Sequence, residues 1–250
     1  MSYQSTVWLG SVAALCPSQD STGDGTTTLT DFTGIGSGTL TNMDAATDWV
    51  TDDGKRCLDF DGVNDYAATP QCPAGALKCL TISVWFRRVA TTGNGLFIGI
   101  ANAINSASER VLIYHFSDGN VYLQIDGAFG YFAQSLTDQG WHSLVMQFDG
   151  TQTGNANRLK AWVDGSAKTL TFSGTIAANI NAITTPRLFV GLIANSPTIY
   201  GAFRMDDLRI LPRLYTTEER AEIDASRGGT YAAASGGGVR AVNVRGGADQ

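Results

Sequence analysis

CLTISVWFRRVA, residues 79–90, alternates strictly along its first half. Leu80, Ile82, Val84 and Phe86 fall on one side, and Thr81, Ser83 and Trp85 on the other. A period of two puts successive side chains on opposite faces of a strand, and a helix cannot reproduce it. Outward from this stretch the chain continues in kind. GLFIGIAN (95–102), RVLIYHF (110–116) and NVYLQIDG (120–127) follow, the last two joined by the turn signal SDGN. GYFAQSL, GWHSLVMQFDG, RLKAWVDGSAKTLTFSG, PRLFVGLIAN and YGAFRMDDLRILPRL complete the run. Turns recur at the spacing of an all-β sandwich, with no competing helical period. The 29 glycines, against only 16% charged residues, suit short strands joined by tight turns.

One helix is predicted, TTEERAEIDASR (216–227). Thr216 with Glu219 three residues on forms a capping box, and acidic residues in the first turn favour the helix dipole. Glu218, Glu219 and Glu222 read as its solvated start. Beyond Arg227 the sequence GGTYAAASGGGVRAVNVRGGADQ is a glycine-rich tail. It divides the chain into a sandwich over residues 1–227 and an arm over 228–250, which we read as an assembly arm contacting other protein subunits.

A net charge of −6 argues against a nucleic-acid partner, which needs a basic surface. No run of eighteen apolar residues predicts a membrane span. The first twenty residues, MSYQSTVWLGSVAALCPSQD, carry no Lys or Arg ahead of the apolar run, and Leu15 is too large for a cleavage site. They are read as no signal peptide, so synthesis and first folding are expected in a cytoplasm. Cys72 and Cys79 flank a loop that one disulfide can close, leaving Cys16 and Cys57 as a second pair. Without a secretory signal free thiols are the expectation, and the absence of any C-x-x-C disfavours zinc.

The acid-rich stretch CLDFDGVNDYAATP (57–70) has the opening of an EF-hand loop. Position 12 counted from Asp59 is Pro70, where the loop needs a bidentate Glu, so that reading fails.

Six segments together carry a resemblance: DSTGDGTTTLTDFTGIGSGTLTN (20–42), WVTDDGKRCLDFDGVNDYA (49–67), LTISVWFRR (80–88), GWHSLVMQFDG (140–150), RLKAWVDG (158–165) and GAFRMDDLRILPRLYTTEERAEI (201–223). In this order they resemble the laminin-G-like members of the concanavalin A-like superfamily, from about Trp8 to Ile223. The resemblance implies a jelly roll of two antiparallel sheets, one of them concave. It also implies that residues 57–67 are a strand, a turn and a strand, with Leu58 and Phe60 facing one way and Asp59 and Asp61 the other.

Glucanases of this superfamily cut sugars with an E-x-D-x-x-E strand, and no such motif occurs here. The only Glu before the helix, Glu109, has no acidic neighbour in sequence, and the paired acids Asp52–Asp53 and Asp206–Asp207 would face opposite sides of a strand. No hydrolytic activity is expected. Relatives often bind a structural calcium ion. By the resemblance Asp206 stands at its carboxylate and Gly54 at its carbonyl, and Asp20 offers a further carboxylate from the N-terminal loop. The alternative for Asp206 is a salt bridge with Arg209 or the capping of a turn, with no ion.

Lectin-like sugar contacts would use aromatic faces with nearby polar groups. The candidates are Trp85 with Thr81 and Ser83, Trp162 with Lys160 and Asp164, and Tyr122 with Gln124. Core packing is the stronger reading for the two Trp residues. Two functions therefore stand. The first is a non-catalytic structural or adhesive component of a large assembly, such as a phage virion decoration or attachment protein that also binds surface glycans. The second is a carbohydrate-binding module at a bacterial cell surface.

Overall fold

The computed structural model describes residues 11–34, 36–70, 72, 77–90, 93–104, 111–134, 136, 138–194, 196–225 and 227. The tail 228–250, and with it the arm, lies outside the described residues. Two antiparallel sheets face each other. The eight-stranded sheet runs, edge to edge, through Ser166–Lys168, Leu159–Val163, Trp141–Asp149, Cys79–Arg88, Ala202–Leu211, Lys55–Asp61 and Trp49–Asp52, with Ala13–Leu15 paired to the second half of Ala202–Leu211. The nine-stranded sheet runs through Thr171–Ser173, Ala128–Ala133, Asn120–Ile125, Val111–His115, Phe97–Ala101, Arg187–Val190, Tyr66–Ala68, Gly38–Thr41 and Thr28–Leu29. This is the jelly roll expected from the resemblance. The acid-rich stretch is a strand, a turn and a strand as expected: Asp61 Oδ1 accepts the backbone N–H groups of Val63 and Asn64, and so shapes the turn.

The core between the sheets is built by alternation. Leu80, Ile82, Val84 and Phe86 meet Val111, Ile113, Val121, Leu123 and Ile125 from the opposite sheet. Each such side chain, fully buried, contributes about 1.5–3 kcal/mol relative to exposure.

The capping box forms: Thr216 Oγ1 accepts the Glu219 N–H at 3.2 Å and Glu219 returns the contact to the Thr216 N–H at 2.9 Å. The helix spans Thr217–Ala225. Contrary to the solvated reading of its first turn, Glu219 is buried, with both carboxylate oxygens on the Arg213 guanidinium. A single four-residue turn, Asn155–Arg158, is a helix that the sequence does not signal.

The expectation that Asp206 and Asp207 face opposite sides also fails, because a bulge inserts one residue between Asp206 and Arg209 opposite Trp85 and Ser83. Asp207 takes a left-handed backbone (φ 52), and both carboxylates are buried. The bulge reverses the phase of the strand: Phe203 and Met205 feed the core before it, Leu208 and Ile210 after it.

A small hairpin, Leu192–Ile193 with Ser196–Tyr200, leaves the nine-stranded sheet at Gly191 and folds back over its outer face. Gly191 has φ 96, and a Cβ there would lie 2.7 Å from the Asp65 carbonyl and 2.8 Å from the Phe60 ring, so only glycine turns the chain at this point.

Candidate functional site

The sequence candidates divide between the two outer faces. On the eight-stranded sheet, the C-terminal segment covers the outward residues. Thr81 donates its hydroxyl to the Arg213 carbonyl at 2.6 Å, Ser83 lies 3.1 Å from the Tyr215 hydroxyl, and Trp85 Nε1 donates to the Ile223 carbonyl at 2.9 Å. Trp162 packs on Val145, Leu211, Tyr215 and Ile223, with the Arg220 guanidinium 4.4 Å above its ring. Asp164, its proposed polar neighbour, instead accepts from the Ser143 N–H and contacts His142. Thr81, Ser83 and Asp164 are thus engaged inside the protein, as core packing requires, while Lys160 is exposed. A groove of about 510 Å³ runs beside Trp162, between the strand and the helix.

Tyr122 and Gln124 sit elsewhere, on the outer face of the nine-stranded sheet. In Asn120–Ile125, Val121, Leu123 and Ile125 turn inward, which sends Asn120, Tyr122 and Gln124 outward. Register places Tyr122 opposite Tyr114 on one side and Tyr131 on the other. The rings form a ladder: Tyr114 and Tyr122 lie 4.7 Å apart at 4°, and Tyr122 and Tyr131 5.4 Å apart at 26°. Phe129 adds an edge contact at 5.6 Å from Tyr122. All four rings are half-buried.

The ladder has a closed end and an open one. At the closed end Tyr114 meets the buried Phe97, which Ile193 of the hairpin covers. At the other, the residue beyond Tyr131 is Thr171 of the edge strand, so the aromatic stack stops at the outward face of Tyr131. Tyr122 is held upright by a 2.6 Å hydrogen bond from its hydroxyl to Asp118. That bond raises the Tyr122 phenol. At Asp118 a burial penalty pushes the carboxyl up, but hydrogen bonds from Tyr122 and Asn120 outweigh it and hold the group below the usual carboxylate range. The arrangement offers an aromatic face, exposed hydroxyls at Thr171 and Ser173, and an amide at Gln124. It also offers an ionised carboxylate that accepts hydrogen bonds.

Sequence reasoning missed Tyr114, Phe129 and Tyr131. The outward parity of Tyr114 and Tyr131 was readable in RVLIYHF and GYFAQSL, Phe129 falls just before the second segment, and the adjacency of all three to Tyr122 depends on register.

At the residues proposed for calcium the carboxylates face partners within the chain. Both oxygens of Asp20 are bonded to backbone N–H groups, of Gly23 and of Thr30, each at 2.6 Å. Gly54 is at the tip of a tight turn with Asp53 (φ 51 and 73). Asp206 accepts from the backbone of Ser18 and Asp207 through Oδ1, and its Oδ2 faces the Arg227 guanidinium, with Nε at 3.9 Å. Burial, reinforced by Asp207, pushes the Asp206 carboxyl up to about 6. Arg227 is thus a cation beside Asp206, although Asp206 Oδ2 itself makes no hydrogen bond to a described residue. Arg227 is in turn tied to the Asp52 carbonyl, and Lys55 donates to the Arg227 carbonyl. The salt bridge expected between Asp206 and Arg209 is instead made by Asp207, bidentate at 2.6 Å. Among the described residues no three His, Cys, Asp or Glu side chains gather as a metal would need. The four cysteines are free thiols, three of them buried. No helix of the described residues is long and apolar enough to cross a membrane.

The laminin-G-type family model described as "Concanavalin A-like lectin/glucanases superfamily" matches residues 61–219. Comparison with curated proteins gives no match. Among solved structures, the chain resembles the ligand binding domain of Botulinum neurotoxin serotype D in complex with N-acetylneuraminic acid. The TM-score is 0.59 at 9% identity, covering 90% of this chain and 52% of that one. It also resembles the receptor binding domain of botulinum neurotoxin D (TM-score 0.56, 8% identity, 86% and 52% covered). A third is Trypanosoma rangeli sialidase (TM-score 0.56, 12% identity, 86% and 32% covered). At these identities the likeness is one of fold, and the chain spans about half or less of each neighbour's length.

Proposed function

Because the chain belongs to the concanavalin A-like lectin/glucanases superfamily, we propose that it is a non-catalytic carbohydrate-binding protein whose site is the open end of the tyrosine ladder. A pyranose has an apolar face of C–H groups that stacks on an aromatic ring, and a rim of hydroxyls that seeks donors and acceptors. Tyr131 presents the ring, Thr171 and Ser173 present hydroxyls beside it, and Tyr122 and Tyr114 brace it from behind. The single observation that carries the reading is this aromatic stack on an outer sheet face, ending in the half-buried Tyr131 ring with no described aromatic residue beyond it. The neighbour bound to N-acetylneuraminic acid supports glycan recognition on this fold.

The sialidase among the neighbours raises hydrolysis as an alternative. Against it, both Asp118 oxygens are engaged by Asn120 and Tyr122, which suits a positioning acceptor. A glycan array tests the proposal: the protein binds, Tyr131→Ala does not, and no array glycan is cleaved on incubation. Release of reducing sugar would overturn the non-catalytic part.

The composition supports a finer reading, a phage virion decoration or attachment component with residues 228–250 as its assembly arm. Glycan binding is what such a component would contribute at a host surface, and a bacterial cell-surface module would use the site in the same way. The virion reading predicts that deleting residues 229–250 leaves a folded sandwich that no longer co-sediments with its particle. Full occupancy by the truncated protein would refute it.

A further inference from the structure

The hairpin Leu192–Tyr200 divides the outer face of the nine-stranded sheet, and the ladder occupies only one side of it. On the other side a groove of about 500 Å³ is lined by Ser37, Thr39, Thr41, Tyr66, Arg187 and Phe189, among others. Register builds it: Phe189 lies opposite Ala68, Ala68 opposite Thr39, and Tyr66 opposite Thr41. The Tyr131 strand and the Tyr66 strand are five strand positions apart, about 24 Å, so the two places are distinct.

What sets this groove apart is that Arg187 and the hydroxyls of Ser37, Thr39, Thr41 and Tyr66 make no hydrogen bond to a described residue, whereas Thr69 beside them accepts from the Leu188 N–H. The other described arginines all donate to a protein acceptor. Arg56 reaches Asp24, Arg87 and Arg204 reach Asp52, Arg209 reaches Asp207 and Arg213 reaches Glu219. Arg88, Arg158, Arg220 and Arg227 reach backbone carbonyls. Arg187 alone has no hydrogen bond or ion pair to a described residue, although the chain carries 23 acidic residues. The hydroxyls of Ser37, Thr39, Thr41 and Tyr66 are likewise without hydrogen bonds to described residues. Beneath them the buried Phe189 ring gives the groove an apolar floor.

A guanidinium presents two parallel N–H donors that match a carboxylate. Hydroxyl donors and acceptors beside an apolar floor match a polyol ring. We propose that this groove is a second ligand site, specific for a carboxylate-bearing sugar, with Arg187 on the carboxylate and the Thr and Tyr hydroxyls on the ring. A peptide carboxylate would satisfy Arg187 but leave the hydroxyls unmatched. The site stands independently of the ladder.

Titration of the full-length, ¹⁵N-labelled protein with glucuronic acid, glucose or sodium acetate at constant ionic strength tests it. Glucuronate is expected to shift the amides of residues 37–41, 66–69 and 187–189 saturably, with glucose and acetate each weaker by about fivefold or more. Arg187→Gln, an exposed substitution checked for folding by its melting temperature, should lower glucuronate affinity by about fivefold or more, the loss expected for a charge-assisted hydrogen bond. Tyr131→Ala should leave glucuronate binding unchanged. Equal glucuronate affinity in Arg187→Gln and the parent would overturn the proposal. So would acetate binding as tightly as the uronate, or shifts confined to the Tyr131 side.

Discussion

The two sheets carry similar alternating strands, yet their outer faces have different fates. On the eight-stranded sheet, Thr81, Ser83, Trp85 and Trp162 face a lid made of residues 213–223: the polar atoms of the first three bond to it, and Arg220 stacks on the Trp162 ring. On the nine-stranded sheet the hairpin Leu192–Tyr200 covers only the centre, leaving tyrosine rings on one flank and unpartnered hydroxyls with Arg187 on the other. An outward aromatic is therefore not by itself a site. It becomes one where the described residues supply no lid.

The sharpest way to break this contrast is to disrupt the lid. Tyr215 is buried, bonded to Ser83 and packed on Val145 and Ile223. Tyr215→Ala should cost about 3–5 kcal/mol of stability, measured by denaturant unfolding, while glycan binding by the folded fraction stays intact. If binding fell in proportion to stability, the two faces would not be independent. Tyr131→Ala should do the reverse. It removes a half-buried terminal ring, so stability should change by less than about 1 kcal/mol while glycan affinity falls about tenfold, the equivalent of about 1.4 kcal/mol.

The smallest effect is a pH dependence confined to the eight-stranded side. At His142 burial pushes the imidazole down. Asp138 and Asp164, at 3.0 and 2.7 Å from its two ring nitrogens, outweigh this and hold it above its ordinary value. The protonated form is thus favoured by folding. Its stabilisation is fully present below about pH 6.5, the unfolded value, and is lost as pH rises through the raised folded value. Melting temperature should decline over that window, and His142→Asn should flatten the decline without altering glycan binding. An unchanged profile in the variant would remove His142 as its source.

Much of this was legible in advance because strand parity is local. Leu80 to Phe86 announced the core face, the capping box placed the helix, and Tyr122 with Gln124 were picked from outward parity alone. What failed was everything that needed partners distant in sequence. Thr81 and Ser83 are capped by residues some 132 positions later, which no window over residues 79–90 contains. Tyr114 and Tyr131 join Tyr122 only through register. The bulge at Asp206 was a partial miss: the apolar spacing of FRMDDLRIL changes phase between Met205 and Leu208, a signal present in the sequence but read there as plain alternation. The Arg227 guanidinium beside Asp206 was not foreseen for a related reason. Arg227, near the end of the helix, reaches back to Asp206 from a position no strand motif includes.

The account rests most directly on the open end of the ladder. A glycan array probed with the parent protein, Tyr131→Ala and Trp162→Ala decides it. The prediction is binding by the parent, retained in Trp162→Ala and lost in Tyr131→Ala. Binding that survives in Tyr131→Ala, or that disappears in Trp162→Ala while the variant remains folded, would place the site on the other sheet and contradict the account.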